Sequence, residues 1–238
     1  MEKCLVLLAT YNGEKYLREQ IDSIFAQEGV EIEIACSDDC STDGTQDILK
    51  EYSEKHKNFS YYINKENKRF TYNFLDLFFS VKEKKFDYVA FADQDDFWLP
   101  NKLISGINKI KEQGETKHGC LYSSNLIVTN EKLEKIGMQE DETVLTKTNK
   151  QTYLFENIAT GCTMVMDKKF YDYASRYYPN NVNLHDYWLF MIAIYSANYV
   201  YDFNGYILYR QHGDNQIGTN KKKWTRKNIK KRPRSHCR

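Results

Sequence analysis

Nowhere in the 238 residues does an apolar run approach the roughly 18 residues that a membrane-crossing helix needs. The first ten residues hold an apolar stretch too short for a secretory signal and read instead as a first buried strand. Both absences lead us to expect a cytoplasmic protein. Six cysteines are present, but no two form a CxxC pair, which argues against a zinc site. Cys4, Cys36, Cys120 and Cys162 sit in apolar, strand-like surroundings and are expected as reduced core residues. The turn after the first strand carries neither GxGxxG nor GxxxxGK(S/T), so it is neither a Rossmann fingerprint nor a P-loop.

Acid is missing from one stretch only. Residues 221–238 hold ten Lys/Arg and no Asp or Glu, whereas the other 220 residues carry 24 bases against 33 acids. The chain therefore reads as an acidic body with a basic tail, residues 219–238. Basic residues beside an anionic leaflet gain roughly 1 kcal/mol each, so the tail is expected to touch the inner face of the membrane. A plain solvated end is the alternative. The acidic body argues against nucleic acid as the partner.

What is present suits one domain with a small appendage. The hydrophobic fraction is 41% and the aromatic fraction 15%, including 19 tyrosines, enough for a packed core. Residues 4–10, 31–37 and 86–92 read as buried strands, with a shorter one at Phe59 to Ile63. Helical spacing appears over 14–27, from Asp43-Gly44-Thr45 to about His56, and over 71–81. This alternation predicts an α/β fold with a Rossmann-like, mostly parallel central sheet flanked by helices. Beyond residue 100 we expect a helix from Leu103 to Lys111 and a strand from Cys120 to Thr129. A polar mobile loop over 130–148, a short helix near 151–156 and a strand from Ala159 to Met166 come next. Helices at about 168–177 and from His185 to Ala197 follow, and strands Tyr199 to Asp202 and Tyr206 to Arg210 close the fold.

Three polar clusters follow strands, where ligands collect in such sheets. Asp93-Gln94-Asp95-Asp96 crowds carboxylates that repel one another unless a cation neutralises them. Mg²⁺ and Mn²⁺ prefer oxygen ligands and bind through one or two carboxylates plus substrate phosphates. A solvated turn with a helix cap is the bland alternative, but the apolar strand before it and Phe97-Trp98-Leu99-Pro100 after it are unlike such a turn. Thr10-Tyr11-Asn12-Gly13 offers side chains and N–H groups to a nucleotide, though taken alone it reads better as a plain turn. In Ser37-Asp38-Asp39-Cys40-Ser41-Thr42-Asp43-Gly44, Asp43 suits a helix cap. Asp38 and Asp39 are left for function, such as accepting the N3–H of a uracil or thymine ring.

Taken in order, these clusters resemble the family-two glycosyltransferases of GT-A fold. The later blocks Asn157-Ile158-Ala159-Thr160-Gly161-Cys162, His185-Asp186-Tyr187-Trp188 and Tyr209-Arg210-Gln211-His212, with Asn215 and Gly218, agree. The last two blocks and Gln94 resemble the bacterial rhamnosyltransferase-like branch. The resemblance implies a domain over 1–218, with a nucleotide-binding half (1–100) and an acceptor half (101–218). It implies that Thr10, Tyr11 and Asp39 cradle the base, with Asn12 and Asp38 close by. Asp93 would contact the ribose, Gln94 would belong to the same nucleotide site, and Arg69 would either reach the diphosphate or mark a loop of different course. Asp95 would bind Mg²⁺ or Mn²⁺, and His212 would be a second ligand or a structural residue. Asp186 would be the base of an inverting transfer, with a helix cap as its bland alternative. The implied partners are a dTDP- or UDP-sugar donor and a saccharide or lipid-linked acceptor. Two departures stand out: Arg69 occupies a position where relatives often carry Gly, and longer relatives continue with C-terminal helices. A non-catalytic nucleotide-sugar-binding or scaffolding protein is the alternative function. A nucleotidyltransferase is a third, weakened by the missing Gly-rich, basic start.

Overall fold

The computed structural model describes residues 1–140 and 157–213. The chain begins with β1 (Glu2–Thr10), α1 (Leu17–Phe25), β2 (Val30–Asp38), α2 (Thr45–Lys55), β3 (Phe59–Ile63), α3 (Arg69–Ser80) and β4 (Tyr88–Ala92). β5 (Phe97–Trp98), α4 (Lys102–Lys111), β6 (Cys120–Thr129) and β7 (Lys135–Met138) follow. After the undescribed stretch come β8 (Val165–Asp167), α5 (Lys168–Ala174), α6 (His185–Ser196) and β9 (Asn198–Arg210). The sheet runs β3-β2-β1-β4-β8-β6-β9-β5, with β7 added beside β6.

β1 is buried on both faces, as a central parallel strand between helices must be. Cys4, Val6 and Leu8 point into one core cluster, with Ile21 and Ile34. Leu5 and Leu7 point into the other, with Phe78 and Phe91. Truncating any of these leucines to alanine is expected to cost about 2–5 kcal/mol. β1 pairs in parallel with β2 and β4, and β2 with β3. Register sets Thr10 beside Asp38 and Leu8 beside Ala92, so the three polar clusters emerge along one edge. Cys4, Cys36, Cys120 and Cys162 are buried and free.

The second half mixes directions: β8 runs antiparallel to β4 and β6, whereas β6 and β9 are parallel. Three expectations change here. Part of the expected loop over 130–148 is strand β7, whose pairing with β6 is tertiary and leaves no periodic signal. The strand expected from Ala159 shrinks to β8. Gly161–Thr163 instead coils into one 3₁₀ turn, held by Thr163 Oγ1 donating to Thr160 O at 2.7 Å. The two closing strands are one, β9, with register shifts opposite Asn125. The helix expected near 151–156, Asn215, Gly218 and the basic tail lie outside the described residues. Among the described residues no helix is long and apolar enough to cross a membrane.

Candidate functional site

The loops after β1 and β2 are laced together. Asn12 N–H donates to Ser41 Oγ and Gly13 N–H to Thr45 Oγ1, both at 2.8 Å. Thr42 N–H returns a bond to Asn12 Oδ1 at 2.8 Å. Asn12 adopts φ +49°, which Asn tolerates better than most residues. Asp43 accepts from Thr45 N–H and Glu14 N–H, although Gly44 holds the cap position of α2.

Asp38 and Asp39 part company. Asp38 is 0% exposed and accepts from Thr10 Oγ1, Ser41 N–H, Ser41 Oγ and Gln46 Nε2. Its lone pairs are spent inside the loop. Asn12 likewise braces the loops, and neither Asp38 nor Asn12 is among the described residues that line the cavity. Asp39 does line it, held by Asn64 Nδ2 at 2.9 Å and Lys68 N–H at 2.8 Å. The loop that supplies Lys68 ends on Arg69, which faces the cavity and has φ +63°. This left-handed backbone is the one glycine favours.

At the end of β4, Gln94 bonds the Tyr11 backbone, joining the first and third clusters. Asp93 and Asp95 line the cavity. Burial, then repulsion from Asp95 and Asp186, pushes the Asp93 carboxyl up to about 7. Asp96 is buried, raised well above the usual range by burial and by Asp95, and one of its oxygens has no hydrogen-bond partner among the described residues. The turn is fastened from β9. Arg210 donates its N–H to Asp96 Oδ1 at 3.2 Å, its Nε to Asp95 O at 2.9 Å, and its fork to Glu19. His212 Nε2 lies 2.7 Å from Asp95 Oδ2. His212 thus stands behind Asp95 and is not among the described residues lining the cavity.

A second group of ligating atoms is Asp93, Asp96 and Cys162, all within 4.8 Å of one another. Its buried thiol, raised well above its usual value by burial, is a poor ligand for a hard cation. Asp95 with His212 is the better-matched pair, because it combines a carboxylate on the cavity wall with an imidazole directly behind it. The donor set fits a divalent cation: burial first and neighbouring carboxylates second raise Asp93, and added positive charge favours its ionised form.

Across the cavity, Asp186 opens α6. Its carboxylate accepts from Gly161 N–H at 3.1 Å and Tyr187 N–H at 2.6 Å, while burial raises it to about 6. Leu184, two residues earlier, holds the cap position, so Asp186 is not the cap. One cavity of about 1040 Å³ is lined by Thr10, Tyr11, Asp39, Arg69, Asp93, Gln94, Asp95 and Asp186. The sequence reading missed Arg210 as the anchor of the acidic turn, Gly161 as a donor to Asp186, and the β7 segment on the cavity wall.

A parallel half-sheet with acidic clusters at its strand ends, closed by a mixed half, defines the GT-A fold of nucleotide-sugar transferases. The model of "Glycosyl transferase family 2" matches residues 5–190, and the chain belongs to that family. It is 32% identical to the dTDP-rhamnosyl transferase RfbG of Shigella flexneri, over 94% of this chain and 82% of that protein. Among solved structures, S. aureus TarS 1-349 in complex with UDP-GlcNAc matches with a TM-score of 0.66 at 20% identity, over 90% of this chain. The mannosyltransferase PcManGT from Pyrobaculum calidifontis, in complex with GDP-Man and Mn²⁺, matches at 0.60 and 16% identity over 86%. This chain spans 60% and 55% of those two structures.

Proposed function

We propose that this glycosyltransferase is inverting and metal-dependent, moving a sugar from a dTDP- or UDP-sugar to a hydroxyl of a saccharide or lipid-linked acceptor. Surface polysaccharide synthesis is the setting, and rhamnose is the sugar suggested by the Shigella relative. The observation that carries the reading is a single cavity shared by Asp39, the Asp93/Asp95 pair and Asp186.

In this reading Thr10, Tyr11 and Asp39 hold the base, Asp93 the ribose and Arg69 the diphosphate. Asp186 takes the proton of the acceptor hydroxyl as that oxygen bonds the anomeric carbon. The bond from that carbon to the diphosphate breaks, the electron pair leaves with the nucleoside diphosphate, and the configuration inverts. When bound, a divalent cation held by Asp95 and His212 would offset charge on the leaving diphosphate. The nucleotide half is taken as 1–100 and the acceptor half as 101–218. Residues 219–238 would hold the protein to anionic membrane; equal liposome binding with and without them would remove that role.

The test is metal-dependent hydrolysis or transfer across a panel of dTDP- and UDP-sugars, with Asp186→Asn alongside. Turnover of one donor that needs Mg²⁺ or Mn²⁺ and falls at least a hundredfold in Asp186→Asn supports the reading. Tight nucleotide-sugar binding without turnover of any panel member replaces it with a non-catalytic binding protein.

A further inference from the structure

Buried polar groups are nearly always hydrogen-bonded, so an orphan on a cavity wall marks a place where a ligand group completes the bond. His185 is such an orphan. It is 5% exposed, and neither ring nitrogen has a hydrogen-bond partner among the described residues. Its surroundings are aromatic: the ring stacks on Phe74 at 4.3 Å and meets Phe91 edge-on at 5.2 Å. Burial among these rings drives its pKa down to about 3, so it is a neutral imidazole with one N–H and one bare nitrogen.

A phenylalanine would fill this nest without leaving two polar atoms unpaired, so packing alone does not account for histidine here. Yet His185 lines the cavity, beside Asp186 and Gly161. A side-chain carbon on Gly161 would stand 2.9 Å from His185 Nε2 and 3.4 Å from Asp186 Cβ. Only a glycine lets the backbone at 161 lie this close to Nε2, next to the residue assigned as base.

The ring's packing partners lead from Asp186 toward the donor side. Phe74, on which His185 stacks, and its neighbour Asn73 both line the cavity, and Asn73 is bonded to Asn64, which holds Asp39. We infer that His185 is a specificity-determining residue whose Nε2 hydrogen-bonds a hydroxyl of the sugar being transferred. The inference rests on the proposed nucleotide-sugar reading and adds to it the group that reads the sugar, as distinct from the nucleotide.

The test compares affinities for a nucleotide-sugar and for its bare nucleoside diphosphate, by calorimetry with Mn²⁺. Probes are dTDP with dTDP-rhamnose and UDP with UDP-GlcNAc, using the pair that wild type binds more tightly. His185→Phe should leave the affinity for the nucleoside diphosphate within twofold and weaken that for the nucleotide-sugar at least tenfold. His185→Gln, whose amide nitrogen reaches about as far as Nε2, should restore part of the loss. Gly161→Ala, whose methyl would press on Nε2, should reproduce it. Should His185→Phe bind both compounds as wild type does, or lose both equally, the inference is overturned. Wild type binding neither nucleoside diphosphate would instead remove the donor reading itself. Thermal melts confirm that each variant is folded.

Discussion

The side-chain amide of Gln94 grips both polar groups of the Tyr11 backbone. Gln94 Oε1 accepts from Tyr11 N–H at 2.7 Å, and Gln94 Nε2 donates to Tyr11 O at 3.0 Å. Two loops 83 residues apart in sequence thereby become one wall of the cavity. Gly13 makes room for the grip, since a side-chain carbon there would stand 2.4 Å from Gln94 Oε1.

This geometry gives a double-mutant prediction. Gln94→Ala removes two neutral hydrogen bonds, each contributing about 1 kcal/mol, and should weaken nucleotide binding about tenfold. Gly13→Ala displaces only the far end of a flexible side chain, so it should leave Tm nearly unchanged while weakening binding to a similar degree. In the double variant the second change should add almost nothing. Full additivity in titration calorimetry would show that the two positions act separately.

These pairings also mark what was legible in the sequence. Strand–helix alternation and carboxylates placed after apolar runs are local signals, so β1 to β4, Asp39, Asp93 and Asp95 could be found without a structure. The roles of Asp38 and Arg210 could not. Asp38 looks identical to Asp39 in the chain, and only the folded loop directs its oxygens to Thr10 and Ser41. Arg210 reaches Glu19 across 191 residues. The strand expected from Ala159 failed because apolar composition does not distinguish a strand from the turn that Gly161 begins.

A second prediction concerns pH. Asp186 must be ionised to accept a proton, and burial raises it to about 6. The value of kcat/KM should therefore be flat above about pH 7 and fall about tenfold per unit well below 6. An ordinary exposed carboxylate would place this limb two units lower. A limb near pH 4 in steady-state rates would contradict the assignment.

Metal addition should act on stability with a definite sign. Asp93 is raised to about 7 in the fold, against an ordinary carboxylate when unfolded. Protonation therefore favours the fold. That contribution is present in full below the unfolded value and is lost as pH rises through about 7. At pH 8 the apoprotein carries the full repulsion, so Mn²⁺ at about a hundred times its Kd should raise Tm by about 5–10 °C. At pH 5 protons compete and the rise should shrink, and Asp95→Ala should lose it at both pH values. Equal Tm shifts for Asp95→Ala and wild type would move the cation elsewhere.

Arg69 offers the sharpest separation of stability from binding. Its φ of +63° is a left-handed backbone that costs a side-chain-bearing residue about 1–2 kcal/mol. Glycine removes that cost and returns about 0.4–1 kcal/mol as extra freedom of the unfolded chain. Arg69→Gly should therefore match or exceed the wild-type Tm. Arg69→Ala keeps the strained backbone and should melt below Arg69→Gly. Both remove the guanidinium from the cavity, so both should weaken nucleoside diphosphate binding about tenfold or more, with a smaller effect on the nucleoside alone. If binding survives in both variants, the strain at this position serves the course of the loop toward Asp39 and not the diphosphate. The Lys68 N–H bond to Asp39 would then be the reason the backbone turns there.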